Sequence, residues 1–311
     1  MSPLEKEQEA ARALGDTSID LVFLLPASNV EVVNKVLRQR QWRSKLVAGW
    51  TAGAPSGLVT FRQLYWDADA WIINNHAFWE MLGGLARTFV IANGVDLEIF
   101  KIERLPQLRT PKVLWTGSEL HRHLKGYDGF MVPLQGRLRA SGIACELLLV
   151  DSFGAHKRTP AQMAQWYNSA TVLVCASASE GTPNPALEAA ACGCTVVSTR
   201  VGNMPELIRH DVNGYLVDRN VDSLLRATRD ACTNYLRLSA AMQRDIRSWH
   251  WGARSADFFD VFREVLHASK QARTPHPPRA TAESFGTQGT EPCVLETGER
   301  SFDSHLRRDR F

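Results

Sequence analysis

The sequence predicts an α/β protein with two parallel-sheet domains. Short apolar runs alternate with helical patterns from about residue 19 to residue 250, which is typical of parallel sheets covered by helices. A polar, proline-containing segment at 96–111 divides these elements into two series. Within the second series, the stretch 172–202 predicts a complete strand–helix–strand unit. We therefore expect a first domain at 1–95, a linker at 96–111 and a second domain at 112–248.

The first series begins with a charged helical segment at 3–14. Apolar runs of strand length follow, and we predict strands at 19–25, 45–50, 70–74 and 88–92. The intervening segments have helical patterns, and we predict helices at 29–40, 57–66 and 76–86. The Asn-Gly pair at 93–94 then predicts a turn before the linker.

The second series has the same alternation. We predict strands at 112–116, 145–150, 171–175, 195–198 and 213–217, and helices at 127–141, 159–167, 204–208, 221–235, 238–249 and 253–268. Thr159 and Pro160 suit the N-cap and the first turn of their helix. A separate C-terminal helical segment is expected at 249–269. Periodicity ends at 270–311, where proline, glycine and mixed charge predict a disordered tail.

Two carboxylates lie at the point in the strand–helix–strand unit where a ligand would bind. Glu180 precedes the predicted helix and Glu188 lies inside it, with Asn184 as the expected N-cap and Pro185 as the first helical residue. A helix start at the carboxyl edge of a parallel sheet suits a diphosphate. Because carboxylates repel phosphate, the two glutamates should bind neutral hydroxyls, as sugar and ribose rings offer. Either glutamate alone would more simply be a solvated charge, but the pair is a far more specific signal.

The Glu-x7-Glu spacing of Glu180 and Glu188 resembles the donor-binding motif of retaining GT-B glycosyltransferases of family 4. The resemblance extends from about residue 20 to residue 262. It implies a GT-B-like fold with two Rossmann-like parallel-sheet domains, in which the C-terminal helical segment at 249–269 crosses back to the first domain. It implies that Glu180 lies near the donor sugar and that Glu188 holds the ribose hydroxyls. It also assigns donor contacts to the loop that joins them, formed by Gly181, Thr182, Pro183 and Asn184. The co-substrate would be a nucleotide-diphosphate sugar, with no other cofactor and no metal.

A second loop, after the predicted strand 112–116, carries the expected cations. In the family, an Arg shortly after a glycine and a Lys in a Lys-Gly pair neutralise the donor diphosphate. Gly117 and Lys125 match this pattern, but Ser118 occupies the position of the arginine. Arg122 lies in the same loop and could substitute for it. Lys125 and Glu180 are thus the expected catalytic residues, and a missing cation would weaken stabilisation of the leaving group.

The first domain departs from the family pattern. Family members normally begin with a strand that ends in a glycine-rich acceptor loop, and the N-terminal domain here resembles a truncated version without it. The family often places a histidine near the donor sugar, but the corresponding segment at 47–53 has none, and His76 is expected to be a solvent-exposed helix start. A shortened sheet would expose a strand edge, and we expect self-association or a partner through apolar residues of the first predicted strand, Leu21, Phe23 and Leu25.

Composition limits the classes of partner. A net charge of +3 over 311 residues gives no reason to expect a nucleic-acid partner. Four of the six cysteines, at 145, 175, 192 and 194, lie in or beside predicted core elements, where Cys commonly packs as a small apolar side chain.

With no signal-peptide core in the first 15 residues, we expect a cytoplasmic protein, with the inner membrane face as a peripheral location. The acceptor could be a glycan, a lipid-linked molecule or a small molecule.

Three functions therefore remain open. The first is metal-independent sugar transfer with retention of anomeric configuration, by an enzyme that uses a hexose donor. The second is a non-catalytic or partner-dependent protein that binds a nucleotide sugar, as Ser118 and the short first domain suggest. The third is a nucleotide-sugar epimerase or a phosphorylase of the same fold, for which the extra carboxylates, histidines or lysine-bound cofactor motif are not evident. Sugar transfer or slow donor hydrolysis separates the first from the second, and altered donor stereochemistry would indicate the third.

Overall fold

A computed structural model describes residues 3–15, 19–25, 29–51, 61, 63–151 and 158–268. The described strands form two sheets in which all neighbours are parallel, one with the order β1-β2-β3-β4 and the other with the order β6-β5-β7-β8-β9. The predicted α/β architecture is thus confirmed. Residues 57–60 and 62 of the predicted helix at 57–66, the loop that follows Asp151 and the expected tail at 270–311 lie outside the described residues.

The first sheet comprises β1 (Leu21–Leu24), β2 (Lys45–Trp50), β3 (Ala70–Ile73) and β4 (Thr88–Val90). Its helices are α1 (Pro3–Leu14), α2 (Val30–Gln39) and α3 (His76–Met81), and a 3-10 helix spans Tyr65–Asp67. The helix predicted at 76–86 is shorter than expected. Gly83 and Gly84, both with positive φ, follow its end, a backbone conformation that terminates helices.

Aromatic rings fill one side of the first sheet. Trp50 and Trp71 on the strands surround the buried Phe61 and Phe78, with ring centroids 4.7–6.4 Å apart. Val30, a residue of α2, is buried in the same cluster. This rigid packing fixes the carboxyl ends of β2 and β3, which face the second domain.

The second sheet comprises β5 (Lys112–Ser118), β6 (Ala144–Val150), β7 (Val172–Cys175), β8 (Thr195–Thr199) and β9 (Gly214–Val217). Its helices are α4 (Val132–Ala140), α5 (Pro160–Asn168), α6 (Asn184–Ala191), α7 (Met204–Leu207), α8 (Val221–Thr233) and α9 (Tyr235–Asp245). The helix predicted at 127–141 begins with a π-helix, Tyr127–Met131, before α4. A 3-10 helix, Ile246–Trp249, precedes the final helix α10 (Trp251–His267).

Helix α10 packs on the first sheet although it follows the second domain in sequence. Val261 and Val265 are buried against the sheet, and the Phe23 ring lies 5.6 Å from Phe258 and 5.3 Å from Phe262, centroid to centroid. The expectation that Leu21 and Phe23 form an exposed apolar face is therefore wrong, because this helix covers them; Leu25 remains 54% exposed. β1 is nevertheless an edge strand of the described sheet.

The Asn-Gly segment joins the end of the first domain to the start of α10. The Val95 amide donates to the Trp249 carbonyl at 2.8 Å, and the Trp251 amide donates to the Val95 carbonyl at 3.2 Å. A Cβ atom on Gly94 would lie 2.8 Å from the Cα atom of Trp251. Glycine is required here because the two backbones approach too closely for a side chain.

The four cysteines assigned to the core are buried free thiols, as predicted. Burial raises the pKa of the Cys194 thiol to about 12, so it packs as a neutral side chain. Within the described ranges, no group of three or more His, Cys, Asp and Glu side chains is arranged to hold a metal ion. None of the helices in those ranges has the length and apolar character to span a bilayer.

Candidate functional site

Two adjoining cavities lie at the carboxyl edge of the second sheet, beside the start of α6. The first has a volume of about 470 Å³ and contains Lys125 and Glu180 in its lining. The second has a volume of about 550 Å³ and contains Tyr167 and Glu188 in its lining. They share four lining residues, Thr116, Val150, Asn184 and Pro185. The two glutamates identified from the sequence thus belong to neighbouring compartments of one site.

Lys125 and Glu180, which lie 55 residues apart in sequence, form an ion pair in the first cavity. Lys125 Nζ donates to Glu180 Oε1 at 2.5 Å, and Ser177 Oγ donates to the same oxygen at 2.7 Å. The Glu180 side chain is 11% exposed and that of Lys125 is 26% exposed. A positive and a negative group are therefore held side by side in a partly dehydrated pocket, where electrostatic interactions are stronger than in bulk water.

The loop that carries Lys125 is fixed against the end of β7. Gly126 has a φ of +79°, and a Cβ atom there would lie 2.5 Å from the Ala176 carbonyl oxygen. The Ala178 amide donates to the Leu124 carbonyl at 2.8 Å. Arg219 donates from Nε to the Ala176 carbonyl at 3.0 Å, and burial lowers the pKa of its guanidinium. Sequence reasoning missed Arg219, which no local pattern marks.

Gly181 and Thr182 contact the first domain and do not line either cavity. Thr182 Oγ1 accepts hydrogen bonds from the Asn93 amide at 3.3 Å and from Asn203 Nδ2 at 2.9 Å. A Cβ atom on Gly181 would lie 2.4 Å from Asn74 Nδ2 and 2.4 Å from the Thr51 carbonyl oxygen. Gly181 and Thr182 therefore join the loop between β7 and α6 to the first domain, and the donor contacts expected of them stay a prediction.

Helix α6 starts one residue earlier than predicted. Its N-cap residue is Pro183, and Asn184 is the first helical residue, so the prediction of Asn184 as N-cap is wrong. The Asn184 side chain instead accepts a hydrogen bond from Asn93 Nδ2 at 3.0 Å, again joining the two domains. Pro183, Asn184 and Pro185 all line the first cavity.

Glu188 lies on α6 and contacts α5. Tyr167 Oη donates to Glu188 Oε2 at 2.9 Å. Burial raises the pKa of Glu188, and the hydrogen bond from Tyr167 partly opposes this effect. Burial, followed by the charge of Glu188, raises the pKa of Tyr167 well above its usual value. The same cavity is lined by further charged residues: Glu119, Asp151 and Arg158.

The structure does not bring Arg122 to the site. Its Nε donates to Asp128 Oδ2 at 2.9 Å, its guanidinium lies 5.2 Å from the centre of the Tyr127 ring, and it lines neither cavity. Gly117 and Ser118, the last two residues of β5, do line the first cavity. Among the described lining residues of that cavity, Lys125 is the single cationic group. The suggestion that Arg122 replaces the missing arginine therefore lacks geometric support.

On the side of the first domain, the site is bordered by side-chain amides that follow β3. Asn74 and Asn75 are buried, and Asn75 Nδ2 donates to Asn74 Oδ1 at 3.2 Å. Asn75 also caps α3 by accepting from the Phe78 amide at 2.8 Å. His76 is exposed, as expected, and its backbone amide donates to Glu206 Oε1 at 3.3 Å. Sequence reasoning did not identify Asn74, although an Asn-Asn pair directly after a buried strand was a visible signal.

Known proteins match both the sequence and the fold. Residues 149–234 match the family model described as glycosyl transferases group 1. The D-inositol 3-phosphate glycosyltransferase of Thermobispora bispora is 32% identical over 129 residues, which cover 40% of this chain and 30% of that protein. The corresponding Streptomyces griseus enzyme is 28% identical over 189 residues, covering 56% of this chain and 40% of the relative. The chain thus spans less than half the length of these relatives.

Solved structures of two proteins show the fold. Sucrose-phosphate synthase from Thermosynechococcus elongatus superposes with a TM-score of 0.63 at 18% identity, covering 80% of this chain and 74% of that chain. Anabaena HepE in complex with UDP superposes with a TM-score of 0.61 at 17% identity, covering 84% of this chain and 82% of that chain. The chain has a GT-B fold, and its residues 149–234 are similar to the glycosyl transferases group 1 family.

Proposed function

We propose that this protein is a glycosyltransferase that uses a nucleotide-diphosphate sugar, retains anomeric configuration and requires no metal. The single observation that carries the proposal is the pair of adjoining cavities, one containing the Lys125–Glu180 ion pair and the other Glu188. Matches to relatives named as glycosyltransferases support it, as does a structural neighbour that was solved with UDP. Transfer of a hexose is the form of the activity that we propose.

The charges suggest how a donor would lie across the two cavities. A diphosphate cannot lie against Glu180 or Glu188, so it belongs near the shared residues Asn184 and Pro185, within reach of Lys125. The sugar would then lie beside Glu180 and the ribose beside Glu188, since carboxylates accept hydrogen bonds from neutral hydroxyls. Lys125 would exchange part of its interaction with Glu180 for one with the diphosphate.

The proposed reaction breaks the bond between the anomeric carbon and the diphosphate oxygen, and it forms a bond from the acceptor oxygen to that carbon on the same face. The acceptor proton passes to the departing phosphate oxygen, so atoms and charges balance. Lys125 stabilises negative charge on the leaving diphosphate, where charge develops in the transition state. Glu180 positions the sugar ring by accepting hydrogen bonds from the sugar hydroxyls. A glycan, a lipid-linked molecule or a small molecule approaches from the first domain, near Asn74.

A second candidate function is donor binding without transfer. It is favoured by Ser118 and by the presence of one cation among the described lining residues of the first cavity. With one cation, the diphosphate leaves less readily, so binding would persist while turnover falls. Measurement of donor binding and donor hydrolysis on the same sample separates the two functions.

A panel of UDP-, GDP-, ADP- and dTDP-sugars tests the proposal. A donor at 100 times its dissociation constant should stabilise the fold by roughly 2.7 kcal/mol in thermal unfolding. The stabilising donor should then be hydrolysed slowly or transferred, with the anomeric configuration of the product read by NMR and with the rate unchanged by a chelator. Binding without turnover would favour the second candidate, and no stabilisation by any member would contradict both.

A further inference from the structure

The contact between Tyr167 and Glu188 combines deep burial with a carboxylate that faces a cavity. Tyr167 lies near the end of α5 and is fully buried, packed in the same apolar cluster as Leu187 of α6. Its hydroxyl donates to Glu188 Oε2 at 2.9 Å. A near-immobile donor therefore holds one oxygen of the carboxylate.

No described cation forms an ion pair with Glu188. The titratable groups around it come from each neighbouring element: Glu119 after β5, Asp151 after β6, Arg158 before α5, Tyr167 on α5 and Cys192 after α6. Arg158 is drawn toward Glu146, with 3.9 Å between Nη2 and Oε1. Burial favours the protonated form of Glu188. Among the described residues, the Tyr167 hydroxyl is the hydrogen-bond donor that favours the ionised form.

We propose that Tyr167 is a positioning residue, which holds Glu188 ionised and in a fixed orientation by occupying Oε2 and leaves Oε1 to accept a hydrogen bond from a ribose hydroxyl. The part of this inference that concerns ribose rests on the proposed function. The part that concerns the charge state of Glu188 depends only on the observed contact.

The consequence for binding follows from the two states of the carboxylate. Ionised Glu188 accepts hydrogen bonds from hydroxyls on both oxygens, whereas protonated Glu188 loses much of this capacity. Loss of the Tyr167 hydroxyl removes a contact that lowers the pKa of Glu188, so protonation should begin at higher pH. Nucleotide binding in Tyr167→Phe should therefore fall as the pH decreases, and over a higher pH range than in the wild type.

The substitution Tyr167→Phe preserves the ring and removes the hydroxyl. Tyr215→Phe is a matched control, because Tyr215 is also buried and its hydroxyl donates to the Asp211 carboxylate at 2.9 Å, outside both cavities. The carboxyl signal of Glu188 can be followed by ¹³C NMR without any nucleotide and assigned from Glu188→Gln. Tyr167→Phe should move this titration to higher pH while Tyr215→Phe leaves it unchanged. An unmoved titration in Tyr167→Phe would overturn the inference.

Calorimetry with UDP, GDP and ADP provides the second readout. Tyr167→Phe should bind the preferred diphosphate about 10-fold more weakly near neutral pH, the scale of one hydrogen bond to a charged group, and the loss should grow as pH falls. An equal loss at every pH would indicate a purely structural role and overturn the inference. If no diphosphate binds the wild type, the proposed function fails, while the titration without nucleotide still decides whether Tyr167 controls Glu188.

Discussion

Replacement of Lys125 by methionine should weaken binding of the donor diphosphate and slow turnover. Lys125→Met keeps an unbranched side chain of similar length but removes the ammonium group that donates to Glu180 at 2.5 Å. At an effective dielectric constant of about 20, two unit charges about 4 Å apart interact by roughly 4 kcal/mol. Because Lys125 is 26% exposed, solvent screens part of the attraction between its ammonium group and a diphosphate. We therefore expect Lys125→Met to lose about 1.5–3 kcal/mol of diphosphate binding free energy, which is typical for a hydrogen bond to a charged group.

That loss corresponds to about 10- to 150-fold weaker binding of the free nucleoside diphosphate in calorimetry. Turnover should fall by at least the same factor, because the leaving group gains charge in the transition state. Lys112→Met is a matched control: Lys112 is also 26% exposed, forms a 2.7 Å ion pair with Glu146 and lines neither cavity. Unchanged affinity and turnover in Lys125→Met, or an equal loss in Lys112→Met, would refute the assignment of Lys125 to the diphosphate.

Three further substitutions test the site. Glu180→Gln should reduce turnover more than affinity for the free diphosphate, measured on the same preparation, because its proposed partner is the sugar; equal losses would contradict this role. Gly181→Ala should destabilise the protein by about 1–3 kcal/mol in urea unfolding, since its Cβ would lie 2.4 Å from Asn74 Nδ2. Gly136→Ala, a helical control with no atom within 4 Å of the added Cβ, should stabilise by about 1 kcal/mol, and a loss there as well would undermine the steric argument. Arg122→Ala should leave diphosphate affinity within about twofold, because surface ion pairs contribute little; a large loss in calorimetry would return Arg122 to the site.

Local sequence signals predicted the elements well wherever the deciding interactions are local. The nine strands of the described residues follow from short apolar runs in the sequence. Thr159 is the N-cap of α5, as the Thr-Pro pair predicted, and it also exchanges hydrogen bonds with Gln162 at 3.2 and 2.8 Å. The α6 boundary did not follow, because the Asn184 side chain bonds to Asn93, 91 residues away, and not to its own helix.

The candidate site was predictable as a set of residues but not as a set of contacts. The Glu-x7-Glu spacing drew attention to Glu180 and Glu188, and the resemblance to the glycosyltransferase family drew attention to Lys125. Neither could reveal that Lys125 and Glu180 form an ion pair, or that Tyr167 donates to Glu188, because these contacts form between elements that only the fold brings together. The pairing of Arg122 with Asp128, only 6 residues away, was missed for a different reason: the sequence does not show which way a side chain in this loop turns.

Burial of the first sheet was the other point that the sequence left open. The resemblance implies that the helix at 249–269 crosses back to the first domain, but it does not indicate which residues of the sheet the helix covers. The ring contacts of Phe23 with Phe258 and Phe262 answer this in the structure. Self-association through the edge strand β1 and Leu25 remains a proposal, and sedimentation at micromolar concentration can test it.

The most direct test of the account is calorimetry of nucleoside diphosphates with the wild type and with Glu188→Gln. The central claim is that Glu188, in the second cavity, binds the ribose of a nucleotide donor. The wild type should bind one of the diphosphates, and Glu188→Gln should bind it about 10-fold or more weakly because the ribose loses a charged acceptor. Glu264→Gln, which changes an exposed carboxylate on α10, should bind as the wild type does. Equal affinity of the wild type and Glu188→Gln would contradict the claim.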